Sequence, residues 1–272
     1  MGSQPRVPAP VPPCRVRQLF CIAMVNDTRS RTAVLAGRAA LITGASGGIG
    51  RAIAVALGMC GAQLCVVGRD EARLTVTADE IRTRGGQVVQ VIADVTRPWQ
   101  IDDLVAQVDR DFRCLNILVH AAGHYRRALM AASTVEDLDD HYRTNIRAPY
   151  QLTQAMLPAL SRQGGDVVFI NSTQGLSAGA GLSQYSATQH AVKAVADSLR
   201  AEINNDCVRV TTIHLGRTAT PLQESIFAVE GRSYRPERLI QPEDVADVVV
   251  AAVALPRRAQ VTSVTLWPTD KV

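Results

Sequence analysis

The stretch Ala39-Ala40-Leu41-Ile42-Thr43-Gly44-Ala45-Ser46-Gly47-Gly48-Ile49-Gly50 decides the fold. Its first five residues read as a buried strand, and four glycines cluster where a helix must begin. Glycines let the backbone turn tightly and approach a phosphate that a Cβ would push away, while the helix N-terminus offers unpaired N–H groups and a positive dipole end. A diphosphate fits such a junction. The glycine cluster alone is a weak signal, but here it follows a strand, opens a helix and precedes a second strand by about 20 residues.

Outward from this junction, short apolar runs alternate with amphipathic patterns, as parallel βαβ units require. Strands are expected at 39–43, 64–67, 88–92, 117–120, 167–171, 208–214 and 263–267, with helices at 48–59, 71–84, 101–112, 135–160, 183–204 and 242–255. The pattern predicts an α/β fold: one doubly wound, Rossmann-like three-layer sandwich over residues 37–272, built on a seven-stranded parallel sheet. Thr43, Gly68, Asp94, Ala121, Ser172 and Gly216 then fall at or just beyond the strand C-termini, the edge where ligands bind in such sheets. Residues 217–239 contain Pro221 and Pro236 and lack strong periodicity, so they read as an excursion over that edge.

Hydrophobic residues make up 47% of the chain and aromatics 4%, so the layers must be filled by aliphatic side chains. The formal charge of +4 is concentrated at the start. Residues 1–38 hold Arg6, Arg15, Arg17, Arg29, Arg31 and Arg38 against Asp27 alone, which leaves the remainder close to neutral. A nucleic-acid-binding face is not expected from that distribution. Cys14, Cys21, Cys60, Cys65, Cys114 and Cys207 show no paired or metal-site spacing, which predicts reduced thiols and no metal. The apolar run 19–24 is shorter than the roughly 7–15 residues of a signal peptide core and the roughly 20 of a membrane span. No membrane partner and a cytoplasmic location are expected. Residues 1–36, rich in Pro, Arg and Ser, read as a disordered tail, and Met24 is a second possible start.

Dinucleotide sites that take NAD usually present an acid to the ribose at the end of the second strand. Here Gly68-Arg69 stands there. A guanidinium attracts a 2′-phosphate and can bond it bidentately, so NADP(H) is expected, with NADPH preferred over NADH. Asp70 follows immediately and leaves NAD open in a shifted register.

From about Leu35 to its end the chain resembles the short-chain dehydrogenase/reductase family. Thr43-Gly44, Gly48 and Gly50 match its Thr-Gly-x-x-x-Gly-x-Gly pattern, with Ser46, Gly47 and Ile49 inside the same turn, and Asp94-Val95 matches its pair beside the adenine. His120-Ala121-Ala122-Gly123 stands where the family has Asn-Asn-Ala-Gly, and His120 reads as structural. Asn145 matches the helix asparagine whose backbone holds a water of the family's proton relay. Ser172 and Tyr185, 13 residues apart, match its catalytic serine and tyrosine. Gly216 and Thr218 match the segment beside the nicotinamide carboxamide, with Leu215 replacing a proline. The resemblance implies hydride transfer between a nicotinamide and a small-molecule carbonyl or secondary alcohol. It also implies a homodimer or homotetramer paired through two long helices, here 148–160 and 183–204. Ala187, Ala191, Ala194 and Ala196 would allow close packing there or against the sheet.

The family places lysine four residues after the tyrosine, whereas this chain reads Tyr185-Ser186-Ala187-Thr188-Gln189. A phenol near pKa 10 needs a cation to serve as a base at neutral pH, and an amide supplies none. Gln189 retains the ability to hydrogen-bond to the nicotinamide ribose. Lys193 lies two helical turns beyond Tyr185, and His190 is expected to face a neighbouring element. Three readings remain open: a reductase with a weakened catalytic set, a cofactor-binding sensor or scaffold without the family's chemistry, and a reductase of activated substrates that need little acid catalysis. Residues 124–131, 174–182 and 217–239 would set the substrate's shape.

Overall fold

A computed structural model describes residues 34–203 and 207–270. The strands are β1 (Ala39–Thr43), β2 (Gln63–Gly68), β3 (Gln87–Ile92), β4 (Ile117–His120), β5 (Asp166–Ser172), β6 (Arg209–Leu215) and β7 (Ser263–Leu266). They form one sheet in the order β3-β2-β1-β4-β5-β6-β7, with every neighbouring pair parallel. The expected doubly wound, three-layer architecture is therefore present.

Alternation along β1 explains its two-sided burial. Leu41 packs with Ile101 and Leu104 of α3 (Pro98–Asp111), Met156 of α5 (Ala148–Ser161) and Val192 of α6 (Ser183–Glu202). Ile42 points the other way, into a cluster with Ile53 and Leu57 of α1 (Gly48–Met59), Leu74 of α2 (Glu71–Thr83) and Val249 of α8 (Pro242–Ala254). Both side chains are fully buried, each contributing about 1.5–3 kcal/mol of transfer free energy.

Three expectations are corrected. The helix expected over 135–160 is broken into α4 (Val135–His141), a π-helical turn (Tyr142–Arg147) and α5. Pro149 supplies a physical reason: it lacks the N–H that would bond the Asn145 carbonyl in a continuous α-helix, and its ring crowds that carbonyl. The excursion at 217–239 contains α7 (Pro221–Val229), of which only Phe227 is buried, so it carried little periodicity. The signals were local: Pro221 in the first turn and Thr220 as N-cap, accepting from the Gln223 N–H at 3.2 Å. Finally, Leu35, assigned to the tail, is buried, and its N–H donates to the Cys60 carbonyl at 2.9 Å. Residues 1–33 of the expected tail, Cys14 and Cys21 included, lie outside the described residues. Smaller differences are that β7 stops at Leu266, leaving Trp267 exposed, and that other element boundaries move by three residues or fewer.

Cys65, Cys114 and Cys207 are free thiols. Among the described residues no group of His, Cys, Asp or Glu could hold a metal. None of their helices is long and apolar enough to cross a membrane.

At the sheet edge opposite the strand C-termini, Asp166 of β5 is paired in register with Arg209 of β6. The Arg209 Nε donates to its carboxylate at 2.6 Å, with both side chains buried. Arg38 ahead of β1 bonds the other carboxylate oxygen, and Arg209 also donates to the carbonyls of Val253, Leu255 and Ala259. One carboxylate thus ties three strands and the end of α8 together. Removing one partner of a buried pair leaves the other uncompensated. Asp166→Asn is expected to lower unfolding free energy by about 3–5 kcal/mol in a denaturant titration; a loss below about 1 kcal/mol, the worth of an exposed pair, would show that solvent screens the cluster.

Candidate active site and dinucleotide cleft

The strand order reverses between β1 and β4, and the cleft opens at that point. Gly44 has φ +70°, and a Cβ there would meet the Ala122 N and Ala121 carbonyl oxygen at 2.6 and 2.7 Å. A Cβ on Gly50 would stand 2.3 Å from the Gly44 oxygen. The Thr43 hydroxyl accepts from the Ala121 and Ala122 N–H groups at 3.3 Å each, joining the β1 and β4 ends. At α1 the N-cap is Gly47, with no side-chain cap and no acid in the first turn. The helix N–H groups are left for an external anion, so the cradle suits a dinucleotide diphosphate.

Gly47, Gly48, Ile49 and Gly50 line the same crevice as Ala121, Ala122 and Gly123. Asn145, Ser172, Tyr185 and Gln189 line it too, as do Gly216 and Thr218 on the far wall. Gly44 lies beneath this lining. Ser46 turns back toward β2: a Cβ on Gly68 would overlap its hydroxyl at 1.9 Å. Asp94 is occupied locally, its Oδ1 accepting from the Thr96 N–H and hydroxyl at 3.0 and 2.8 Å. Val95 packs on the core below. Arg69 is exposed just past β2, and Asp70 caps α2 by accepting from the Arg73 N–H at 3.0 Å. Sequence reading missed Arg73, whose guanidinium lies over Gly47, where an added Cβ would come within 2.4 Å of Nη2. Its position in the first turn after Arg69 was the available signal.

At the chemical end, Asn145 spends its side chain on the fold. Its Nδ2 donates to the His124 carbonyl and the Thr188 hydroxyl at 3.0 and 3.1 Å, and its Oδ1 accepts from the His124 N–H at 2.7 Å. The π-turn and Pro149 together deny the Asn145 carbonyl its regular helical partner. Asn171, also missed, clamps β5 to α6: its Nδ2 donates to the Gln189 carbonyl at 3.0 Å and its Oδ1 accepts from the Ser172 N–H at 2.6 Å. This holds Ser172 and Gln189 in register across the crevice.

Burial pushes the Tyr185 phenol up to about 12; hydrogen bonding with Ser172 works against the rise, and Tyr125 adds to it. Among the described residues no cation offsets the burial. Gln189 is itself buried, and Lys193 pairs with Asp197 at 2.6 Å. His190 does not face a neighbouring element: it is exposed, and its Nδ1 bonds the Ser186 carbonyl one turn back at 2.8 Å. A histidine must follow its helix where the adjacent surface is solvent.

His120 is structural in geometry. It stacks on Phe169 at 4.9 Å and its Nε2 bonds the Thr153 hydroxyl at 2.8 Å, and burial brings it down to about 3. His141 carries its proton on Nδ1, which donates to the Asp137 carbonyl at 2.7 Å, while Nε2 accepts from the Arg126 N–H at 3.1 Å. The His141 ring stands edge-on to Tyr185 at 6.2 Å, but both its nitrogens are engaged in these backbone bonds.

The sequence profile of the short chain dehydrogenase family matches residues 38–231. An uncharacterized oxidoreductase from Staphylococcus epidermidis is 33% identical over 232 residues, which cover 85% of this chain and 97% of that protein. A short chain dehydrogenase from Burkholderia cenocepacia, solved in complex with NADP, superposes with a TM-score of 0.78 at 28% identity, covering 86% of this chain and 98% of that one. The actinorhodin polyketide ketoreductase, solved with NADPH, superposes with a TM-score of 0.79 at 27% identity, covering 85% and 96%. The chain belongs to the short-chain dehydrogenase family.

A cation within about 4–6 Å of a phenol lowers its pKa by about 1–3 units. Gln189→Lys is therefore expected to bring the Tyr185 transition down by that amount in an ultraviolet phenolate titration, with Tyr185→Phe identifying its contribution among the tyrosines. An unchanged transition would mean that a side chain at 189 does not reach the phenol.

Proposed function

We propose that the protein is an NADP(H)-dependent oxidoreductase that reduces a small carbonyl compound, and that Gln189 in place of the family's lysine restricts it to activated carbonyls. The observation that carries this reading is Tyr185 facing Ser172 beside an uncapped helix N-terminus built for a diphosphate. When bound, the dinucleotide supplies the hydride. Arg69 and Arg73 would face the 2′-phosphate, since Asp70 is engaged at the N-cap. Gln189 would bond the nicotinamide ribose, with Thr218 and the Gly216 backbone beside the carboxamide.

Ser172 would donate its hydroxyl hydrogen to the carbonyl oxygen, and Tyr185 would pass its proton to that oxygen as the alcohol forms. The relay would refill Tyr185 through water at the Asn145 carbonyl. With a phenol near 12, only about one molecule in 10⁵ is ionised at pH 7. Tyr185 thus holds its proton but is a weak acid, and almost no phenolate is present to serve as a base, so reduction is favoured over alcohol oxidation at neutral pH while proton transfer stays costly. A carbonyl already polarised by a neighbouring electron-withdrawing group needs the least help from such a donor.

NADPH oxidation with activated ketones and diketones tests this. Turnover is expected with NADPH above NADH, with Tyr185→Phe costing about 10²-fold or more and Arg69→Gln weakening NADPH alone. The buried, uncharged Gln189 also favours a second reading, a cofactor-binding protein without this chemistry. That reading prevails if NADPH binds the native protein and only Gln189→Lys turns over.

We further propose self-association through the outer faces of α5 and α6, where Tyr150 is 54% exposed and Ala187 and Ala194 lie open. Sedimentation is expected to show a dimer or tetramer that Tyr150→Glu dissociates; a native monomer at micromolar concentration would remove the proposal.

A further inference from the structure

The outer end of the crevice carries more positive charge than the fold requires. Glu230, just past α7, is the centre of the group, its side chain only 10% exposed. Arg127, in the loop after β4, donates to its Oε1 at 2.6 Å. Arg217, after β6, touches both oxygens through one nitrogen, at 3.0 and 2.8 Å. Arg232 approaches Oε2 at 3.5 Å. Three guanidinium groups therefore share one carboxylate. Two of them, Arg127 and Arg217, line the crevice itself.

This charge stands close to the chemistry. The Tyr125 ring meets Tyr185 edge-on at 4.9 Å. Burial pushes the Tyr125 phenol up, with Arg127 and Arg217 working against the rise and Glu230 adding to it. One aromatic ring thus separates the reacting phenol from the arginines. Between them, Leu222 and Ile226 of α7 give the crevice an apolar wall. Arg217 also lies over the Phe227 ring at 4.8 Å, which fixes its guanidinium.

We propose that the substrate is a carbonyl compound bearing a carboxylate, which Arg127 and Arg217 hold beside Glu230 while its carbonyl reaches Ser172 and Tyr185. The inference rests on the reductase reading for the position of the carbonyl, but the anion site is a property of these side chains alone. Glu230 shows the geometry: the arginines already grip one carboxylate, and planar guanidinium groups suit a second. Among the described residues this half-buried group has two positive charges more than Glu230 balances, which favours an anion over a neutral ligand. The internal carboxylate would also compete with the incoming one, which gives the site a distinctive response to mutation.

The test compares keto acids of increasing chain length with their methyl esters, on protein saturated with NADP⁺ for calorimetric binding and with NADPH for turnover. The acids are expected to bind about 10- to 100-fold tighter than their esters, the range of charge-assisted hydrogen bonds. Arg217→Gln is expected to erase that advantage by weakening the acids about 10-fold or more beyond any change in the esters; equal weakening of both would count against the proposal. Glu230→Gln separates a ligand site from a mere latch on α7: it should tighten the acids if the arginines bind substrate, and weaken acids and esters alike if they only fasten the helix. Acids that bind no better than esters, or do not bind, overturn the proposal, as does equal weakening in Glu230→Gln. Preferential acid binding without NADPH oxidation would keep the anion site and defeat the reductase reading instead.

Discussion

The close approach of three backbone segments around Gly44 is the constraint on which the site depends. The turn after β1 passes within contact of the Ala121-Ala122 peptide and of the first turn of α1, and no side chain fits between them. This convergence brings the β4 end, the α1 N-terminus and the glycine turn to one point. The parallel sheet makes it possible because β1 and β4 are neighbours, and their following segments leave in opposite directions. Everything that lines the crevice farther out is referenced to it: Ser172 through β5 beside β4, and Gly216 through β6 beside β5.

From that base the two halves of the site differ in what they demand of side chains. The cofactor half is made of backbone: N–H groups at α1, glycine turns and peptide edges at Ala121–Gly123. His120, at the end of β4, turns its ring into the core toward Thr153 and Phe169. Leu215 is likewise buried. The other half, around Ser172, Tyr185 and Gln189, is made of side chains. Gln189 is held by its backbone, since Asn171 grips its carbonyl and not its side chain. Its neutral amide brings no charge to offset the burial that raises Tyr185.

Most of the architecture was legible because burial on both sheet faces leaves uninterrupted aliphatic runs, and β1, β4 and α1 were placed to the residue. The break at Tyr142–Arg147 was not, since a π-turn keeps the composition and nearly the spacing of a helix. Pro149 was the one local clue, and proline near a helix start reads equally as a beginning. Helix α7 escaped because a surface helix with one buried side chain has no stripe to detect. Within the site, glycines, Ser172, Tyr185 and Gln189 were readable from their order along the chain. Arg73 and Asn171 were not, because their roles lie in contacts across elements: one over Gly47, the other between β5 and α6. The arginine group around Glu230 joins residues 103 positions apart, a pairing that no local pattern announces.

These observations also bear on why the excursion at 217–239 has its shape. An insertion over a crevice must be held down without filling it, yet α7 offers only Phe227 as a buried anchor. Aliphatic burial could have fastened it, but would have closed the space that a substrate needs. Here the anchorage is electrostatic, through Glu230 to arginines on two different strand-end loops, with Arg217 and Arg232 lying over Phe227. Such contacts leave the inner wall open and lined by Leu222 and Ile226. They also leave charge at the mouth, so the device that positions the segment and the preference for an anionic ligand follow from the same side chains.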